Sequence, residues 1–332
     1  MKAIVQERYG SPDVLELREV DRPVPAAGEV LVRVHAAAVN ASDWHVMRGD
    51  PMLARLALPA VFGRTGPKNK IRGRDFAGRV EAVGAQVSGF RPGDEVYGDL
   101  GFADGAFAEY VGVPATAVAA KPSTLSFEQA AAMPLAASTA LLGLRDTGRV
   151  QPGQQVLVNG ASGGVGTFAV QLAKAFGATV TGVCSPRNVE LVRSLGADHV
   201  VDYTSADFAA GPQRYDLVFD LVGNRSLGDL RRALTPAGTL VLSGGGVHKA
   251  RTTLVGPMGL RIMAQAQSRF VKHRIVELNA TPSSDTLATL AQLADSGQVT
   301  PVIDRTYPLP ETPAAIRYLE QEHARAKVVI TL

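Results

Sequence analysis

The 332-residue chain contains one cysteine, Cys184, and no run of about 18 apolar residues, the length that a membrane-spanning helix requires. A lone cysteine excludes an internal disulfide and any zinc site built from several cysteines. The 34 basic and 31 acidic residues nearly balance, and no basic run is interleaved with aromatic residues. These absences argue against integral membrane proteins and nucleic-acid-binding proteins. We expect a soluble, cytoplasmic protein in which Cys184 is a small buried hydrophobic residue.

The apolar content of 46% supports a large core, and the length favours two domains. Residues 1–124 consist of short β-rich segments separated by turn formers, which predicts a largely antiparallel β domain. Over residues 125–280 strand and helix patterns alternate, which predicts a parallel sheet covered by helices. The six predicted strands are Gln155–Val158, Thr179–Cys184, His199–Asp202, Tyr215–Leu221, Gly238–Ser243 and Arg274–Leu278. The last strand, KVVITL, then needs a partner elsewhere, so we expect residues 281–332 to complete the first domain.

The most informative motif is a glycine-rich turn between a strand and a long helix, in QQVLVNGASGGVGTFAVQLAKAFGATVTGVCS. Its spacing is A-x-G-x-x-G from Ala161 through Gly163 to Gly166, inside a complete βαβ unit. The free N–H groups and positive dipole end of such a helix suit a pyrophosphate, and a missing Cβ at Gly163 permits close approach. The motif therefore predicts a dinucleotide site. Its predicted contacts are Ala161, Ser162, Gly163, Gly164, Val165 and Gly166.

The end of the following strand indicates which dinucleotide is bound. An acidic residue there would hold a ribose 2′-hydroxyl, whereas this strand ends Cys184-Ser185-Pro186-Arg187. A hydroxyl and a guanidinium suit a 2′-phosphate, so Ser185 and Arg187 favour NADPH over NADH. Arg187 also has a simpler interpretation, as a solvated charge at a helix start. Tyr203, in VVDYTS, is either a third contact or a residue that caps the sheet edge.

The segments KAIVQERYGSPDVLELREV, AAAVNASD, GRDFAGRVEAVG, RPGDEVYG and ASGGVG together resemble the medium-chain dehydrogenase/reductase superfamily, and within it the quinone oxidoreductase branch. The resemblance covers essentially the whole chain. It implies an α/β fold with a Rossmann doubly wound parallel sheet and a GroES-like, mostly antiparallel β domain. It also implies a substrate cleft between these domains and a homodimer.

The sequence departs from the zinc-dependent members of this superfamily at the metal site. By resemblance, Asn40 replaces a zinc-binding cysteine, and Arg74-Asp75 replaces a His-Glu pair. The six histidines have no ligand spacing, so we expect no zinc. Without a Lewis acid, alcohol oxidation is difficult, and reduction of an electrophilic quinone or α,β-unsaturated carbonyl is the easier chemistry. We interpret Arg74 and Asp75 as a structural ion pair.

The resemblance also supplies the remaining site residues. Asn40 would face the nicotinamide and polarise an acceptor oxygen, although a turn residue bonded to its own backbone is an equal alternative. Trp44 is either a wall of the substrate pocket or a core aromatic residue. Further contacts to the cofactor follow at the ends of later strands and in PLAASTALLGL. These are Thr139, Gly223, Asn224, Ser243, Gly244 and Gly245.

Two segments remain without an assigned role. Residues 52–72 are apolar and then basic, and they are a candidate flap over the substrate. Residues 247–274 are basic and lack acidic residues, which fits a lid or a dimer contact better than a membrane-surface helix. The sequence thus predicts a zinc-independent NADPH-dependent reductase. The alternative is a non-catalytic NADPH-binding sensor, or a protein of the same fold that docks on a membrane or a partner.

Overall fold

The computed structural model describes residues 1–243, 259, 263–264, 271–322 and 324–332. Gly244, Gly245 and most of residues 247–274 lie outside these ranges, as does His323. The chain divides into two compact units. The first unit contains Met1–Ser138 and Thr281–Leu332, and the second contains the described residues from Thr139 to Ala280.

The second unit is built on a six-stranded parallel sheet with the order β10-β9-β8-β11-β12-β13. Its strands are β8 (Gln155–Asn159), β9 (Thr179–Cys184), β10 (His199–Asp202), β11 (Tyr215–Asp220), β12 (Leu234–Leu242) and β13 (Arg274–Glu277). All six predicted strands are therefore present, and two of them have the predicted bounds. The fifth begins at Leu234 rather than Gly238. This is a doubly wound arrangement, in which the strand order reverses on the two sides of β8.

One helix precedes this sheet, and three others within the described ranges connect its strands. They are α4 (Pro134–Leu141), followed by a π-helical stretch Leu142–Gly148, α5 (Gly164–Ala175), α6 (Val189–Ser194) and α7 (Leu227–Arg232). Short 3₁₀ turns elsewhere in the chain include Pro186–Asn188. Helix α5 buries its inner face, from Gly166 to Ala173, against the sheet. The central strands β8, β9 and β11 are mostly buried, as expected for strands covered on both faces, whereas the edge strands β10 and β13 are partly exposed.

The first unit contains a seven-stranded sheet with the order β14-β15-β3-β4-β5-β7, and β6 also pairs with β3. The nine described strands of the first unit are β1 (Lys2–Gln6), β2 (Leu15–Glu19), β3 (Glu29–Val39), β4 (Asp75–Val83), β5 (Glu95–Asp99), β6 (Tyr110–Pro114), β7 (Val118–Ala120), β14 (Ile303–Pro308) and β15 (Lys327–Thr331). Strands β1 and β2 form a separate hairpin. All pairings in the larger sheet are antiparallel except that of β14 with β15.

The C-terminal strand β15 lies in the sheet of the first unit. Val328 to Thr331 pair with Val39 to Ala36 of β3. The helices of this unit are α1 (Ala41–Arg48), α2 (Ala54–Ala57), α3 (Phe127–Ala131), α8 (Ser284–Asp295) and α9 (Thr312–Gln321). Helix α8 is tied to the N-terminal part of the chain, because the Tyr97 hydroxyl donates to the Leu287 carbonyl at 2.6 Å.

The boundary between the units falls after Ser138, later in the chain than the expected position near residue 124. Helix α3, which we expected in the second domain, packs on β3 and β4 of the first unit. Residues 125–138 are helical in pattern, and that pattern alone does not show which sheet a helix covers.

Trp44 lies in the hydrophobic core of the first unit, which supports its interpretation as a core aromatic residue. In the 52–72 segment, Val61 and Phe62 pack on Val46 and Ala54 in a small separate cluster. The segment also exposes Leu56. None of the helices within the described ranges is long and apolar enough to cross a bilayer.

Candidate active site

The predicted cofactor contacts of the second unit gather at one edge of its sheet. Because the six strands are parallel, their carboxyl ends lie along the same edge. The glycine turn follows β8, Ser185 and Arg187 follow β9, and Tyr203 follows β10. Gly223 and Asn224 follow β11, and Ser243 follows β12. Gly244 and Gly245 lie outside the described residues.

The glycine turn is fixed to the neighbouring strand. The N–H groups of Gly160 and Ala161 donate to the Val183 carbonyl at 3.2 and 3.0 Å, and Gly160 has a positive φ of 91°. Helix α5 begins at Gly164, with Gly163 as its N-cap. The N–H groups of its first turn lack helical carbonyl partners, so they are donors for an anion.

Two glycines of this turn have different constraints. A Cβ at Gly166 would lie 2.1 Å from the Gly160 carbonyl oxygen, so the fold itself requires glycine there. A Cβ at Gly163 would have its nearest protein atom 3.4 Å away, and the φ of Gly163 is −82°. The protein alone would therefore accept a side chain at Gly163. The open space beside Gly163 fits the close approach of a pyrophosphate.

The end of β9 carries a polar cluster that sequence reasoning only partly predicted. The side chain of Asn188 is buried, and its Nδ2 donates to Ser162 Oγ at 3.0 Å and to Ser185 Oγ at 3.1 Å. Arg187 is exposed on the intervening 3₁₀ turn. The Tyr203 N–H donates to the Cys184 carbonyl at 3.2 Å, which holds Tyr203 beside the end of β9 with its side chain half exposed.

The structure also shows the environments of Cys184 and Asp202, which lie at the ends of β9 and β10. Cys184 is 2% exposed, and burial raises the pKa of its thiol to about 11, with the Asp202 charge acting in the same direction. This agrees with a buried hydrophobic role. The Asp202 carboxylate accepts from the N–H and hydroxyl of Thr204 at 2.9 and 2.8 Å, which engages it in the turn that carries Tyr203.

A second buried network joins the ends of β8 and β11. Asn159 Nδ2 donates to Asp220 Oδ1 at 2.8 Å and to Asn224 Oδ1 at 3.2 Å. Asp220 Oδ1 also accepts from the Gly223 N–H at 3.2 Å, and burial raises the pKa of this carboxyl. The Ser243 N–H donates to the Asp220 carbonyl at 3.0 Å. Asp220 therefore orders the loop residues at the centre of the sheet edge.

In the first unit, the amide of Asn40 is bonded to the buried ion pair of Asp75 and Lys327, and the three residues form a triad. Asn40 Nδ2 donates to Asp75 Oδ2 at 3.0 Å and to the Ala38 carbonyl at 3.3 Å. Lys327 Nζ donates to Asn40 Oδ1 at 2.5 Å and to Asp75 Oδ2 at 3.3 Å. The Leu135 N–H completes the coordination of Asp75 by donating to Oδ1 at 3.0 Å. Each polar atom of the Asn40 amide thus has a partner within this unit.

The triad is almost inaccessible to solvent: the side chains of Lys327 and Asp75 are 2% and 0% exposed. Burial raises the pKa of Asp75 to about 6, while the Lys327 charge acts in the opposite direction. Sequence reasoning missed Lys327, because it lies 252 residues from Asp75. No local spacing marks such a pair.

The predicted ion pair between Arg74 and Asp75 is wrong. Arg74 instead forms a bidentate ion pair with Asp99, in which Nε donates to Oδ1 at 3.1 Å and Nη2 donates to Oδ2 at 2.9 Å. Consecutive side chains of an extended chain point in opposite directions, so neighbours in sequence rarely pair. Nearby, Arg72 pairs with Asp104 in another buried ion pair.

Asp43 on α1 is a further buried carboxyl beside this triad. Its Oδ2 accepts from the Asn40 N–H at 2.7 Å, whereas Oδ1 has no partner among the described residues. Burial raises the pKa of Asp43 to about 7, and the Asp104 charge adds to this effect. Thr139, predicted near the nicotinamide, is buried on α4. Within the described ranges, no group of three His, Cys, Asp or Glu side chains could hold a metal ion.

Comparison with known proteins places the chain in a family. Residues 26–123 match the family described as "Alcohol dehydrogenase GroES-like domain", and residues 195–330 match "Zinc-binding dehydrogenase". The chain is 37% identical to 2-methylene-furan-3-one reductase of Solanum lycopersicum, over 99% of the chain and 79% of the relative. It is 36% identical to the chloroplastic NADPH-dependent alkenal/one oxidoreductase of Arabidopsis thaliana, with the same coverage.

Solved structures agree with these relatives. The quinone oxidoreductase of Coxiella burnetii superposes with a TM-score of 0.84 at 32% identity, over 100% of this chain and 99% of that one. The Escherichia coli quinone oxidoreductase complexed with NADPH gives a TM-score of 0.83 at 25% identity, over 100% of both chains. The chain belongs to the medium-chain dehydrogenase/reductase superfamily. Within it, the chain is an NAD(P)H-dependent oxidoreductase of the quinone and enone reductase type.

Proposed function

We propose that the protein is a zinc-independent reductase that uses NADPH in preference to NADH and reduces quinones or α,β-unsaturated carbonyls. The observation that carries the proposal is the polar edge of the six-stranded sheet. There the glycine turn, Ser185 and Arg187 adjoin the ends of two neighbouring strands. A turnover assay with quinones and enones, run with NADPH and NADH in parallel, tests the proposal directly.

The preference for NADPH is supported by the chemistry at the end of β9. Ser185 offers a hydroxyl and exposed Arg187 offers a guanidinium, which is the usual partner of a phosphate dianion. Asp202, on the adjacent strand end, is bonded to Thr204 and caps its own turn. Tyr203, whose N–H bonds the Cys184 carbonyl at the end of β9, is a further candidate contact.

The residues at the positions of a metal site do not fit zinc. A zinc ion needs ligands that donate electron pairs to it, such as thiolate, imidazole or carboxylate. Here the ammonium of Lys327 already bonds Asn40 and Asp75, and Arg74 is a cation bound to Asp99. A second cation beside these groups would be repelled. We therefore propose that the reaction proceeds without zinc.

When bound, NADPH supplies a hydride from its nicotinamide ring. The chain contributes position and electrostatics: the first turn of α5 binds the pyrophosphate, and the Asp220 network holds Gly223 and Asn224 in place. The named activities of the relatives from Solanum lycopersicum and Arabidopsis thaliana support a conjugated carbonyl as the acceptor, and the Coxiella burnetii enzyme supports a quinone. These acceptors are electrophilic without a metal. From the family resemblance we further propose a homodimer, and from the lack of a long apolar run we propose a cytoplasmic location.

We retain Asn40 as the residue that polarises the acceptor oxygen. Its longer hydrogen bond, 3.3 Å to the Ala38 carbonyl, is the one that an acceptor would replace. Lys327 withdraws electron density from the amide through Oδ1, which strengthens the Nδ2 donor.

The Asn40→Ala variant is expected to lower turnover, because the polarising N–H is removed, while NADPH affinity stays unchanged. Steady-state kinetics with a quinone, together with NADPH titration, measure the two quantities separately. Unchanged turnover would show that Asn40 serves only the Asp75 and Lys327 pair.

The Arg187→Ala variant is expected to weaken NADPH at least about tenfold, because a charge-assisted contact is worth roughly 1.5–3 kcal/mol. NADH affinity should stay within about twofold, since NADH lacks the 2′-phosphate. Fluorescence titration with both cofactors gives the two dissociation constants.

The matched control is Arg193→Ala. Arg193 carries the same charge on the adjacent helix α6, but it is exposed and paired with Glu190 at 2.7 Å. Its loss should leave the ratio of the two constants unchanged. If Arg187→Ala weakens both cofactors equally, the 2′-phosphate assignment of Arg187 is wrong.

A further inference from the structure

The buried amide of Asn188 connects two hydroxyls of the proposed cofactor site. Its Nδ2 bonds Ser162 Oγ at 3.0 Å and Ser185 Oγ at 3.1 Å, and the residue is 4% exposed. Ser162 lies in the turn after β8, whereas Ser185 follows β9. Both hydroxyl oxygens bond the same nitrogen, so the distance between them cannot exceed the sum of the two bond distances. One anionic group can therefore accept from both.

The direction of these hydrogen bonds decides whether the two serine hydroxyls can donate to a ligand. An amide nitrogen carries two N–H donors, and here each N–H has a serine oxygen as its acceptor. The Asn188 Oδ1 atom is buried without a partner among the described residues. The reverse orientation of the amide would bury two unpaired N–H donors in place of one unpaired carbonyl, which costs more. The observed orientation is therefore the favoured one.

A serine hydroxyl that accepts from Asn188 uses a lone pair and keeps its own hydrogen for another partner. Ser162 and Ser185 are thereby both held as donors. Two hydroxyl donors held by one side chain, together with the guanidinium of the exposed Arg187, suit a phosphate, whose oxygens only accept. A ribose 2′-hydroxyl, in contrast, can accept from only one or two donors and carries no charge.

We propose that Asn188 is a positioning residue that sets the preference for NADPH over NADH. It acts by fixing Ser162 and Ser185 as hydrogen-bond donors to the 2′-phosphate of the adenosine ribose. This inference rests on the proposed function, because it concerns the same cofactor site.

The test is a double-mutant cycle read out as the ratio of the NADPH and NADH dissociation constants. In the wild-type background, Asn188→Leu keeps the volume and frees both serine hydroxyls to rotate. We expect NADPH to weaken at least about fivefold while NADH changes by less than about twofold. In the Ser162→Ala/Ser185→Ala background the same substitution should leave the ratio unchanged, because the groups that Asn188 positions are gone.

A second variant covers the case in which Asn188→Leu does not fold. Asn188→Asp has the same shape but only acceptor atoms, so both serine hydrogens would turn toward it and away from the phosphate. It should weaken NADPH at least about fivefold relative to the wild type, and by less in the Ser162→Ala/Ser185→Ala background, where only the repulsion between the new carboxylate and the phosphate remains.

Three outcomes separate the possibilities. Equal weakening of both cofactors, or an equal effect in the two backgrounds, would overturn the proposal for Asn188 and leave a structural role. A wild-type protein that binds NADH as tightly as NADPH would overturn the proposed cofactor preference itself. A wild-type preference for NADPH that Asn188→Leu and Asn188→Asp do not alter would contradict the role of Asn188 alone.

Discussion

The Lys327→Met variant is expected to lose about 3–5 kcal/mol of free energy of unfolding, because it leaves a buried carboxylate without its counter-charge. The side chain of Asp75 is 0% exposed, so water cannot take the place of the ammonium. Asn40 Oδ1 loses its donor in the same variant. Urea unfolding followed by tryptophan fluorescence measures the effect in the first unit, since Trp44 is the only tryptophan of the chain and lies in that core.

Two controls identify the cause of this loss. Lys70→Met removes the same charge from an exposed pair with Glu7 in the same unit, and it should cost less than about 1 kcal/mol. The double variant Asp75→Leu/Lys327→Met removes both buried charges and should recover most of the loss. A double variant less stable than Lys327→Met alone would contradict the account of the pair.

The deficit of Lys327→Met should also depend on pH. Burial already raises the pKa of Asp75 to about 6, and the variant lacks the largest opposing influence, so its folded pKa is higher still. A carboxyl whose pKa is higher in the folded protein than the unfolded value of about 4 binds its proton more tightly in the folded state. Protonation of such a carboxyl therefore stabilises the fold. The deficit is therefore full above the folded pKa and shrinks as the pH falls toward 4.

Alanine substitutions at Gly166 and Gly163, two glycines of the same turn, are expected to have different effects. Gly166→Ala is expected to destabilise the second unit by about 1–3 kcal/mol or more, because its Cβ would lie 2.1 Å from the Gly160 carbonyl oxygen. Gly163→Ala should cost about 1 kcal/mol or less, the usual difference at an N-cap. It should nonetheless weaken NADPH and NADH alike by at least about tenfold, since the methyl group occupies the space of the pyrophosphate.

Circular dichroism on heating and calorimetric titration with both cofactors distinguish the two variants. Gly211→Ala is a suitable control, because no atom lies within 4 Å of the Cβ it would add. Wild-type affinity in Gly163→Ala would show that no ligand approaches the glycine turn at that residue.

The sequence predicts the second unit well because its signals are local. Strands buried on both faces are continuous apolar runs, and helices follow β8, β9 and β11, so the central strands can be read in order. The glycine turn is equally local: Gly163 and Gly166 are three residues apart and follow β8 directly. The assignment of KVVITL to the first domain follows by elimination, and in the structure β15 pairs with β3.

Contacts between distant segments could not be predicted in the same way. Lys327 meets Asn40 across 287 residues, and the pairing of Arg74 with Asp99 depends on the path of the chain between them. Asn188 is different, because it follows Ser185 by three residues across a 3₁₀ turn. An amide at that spacing from a candidate phosphate ligand is a local signal that sequence reasoning can use.

The central claim is most directly tested by following NADPH oxidation by absorbance, with NADH in parallel, over quinones, enones, aldehydes and saturated ketones. The protein should be assayed with and without a zinc chelator. The account predicts turnover of quinones or enones, preference for NADPH, and no effect of the chelator. Binding of NADPH without turnover of any acceptor, or activity that disappears with the chelator and returns with zinc, would contradict it.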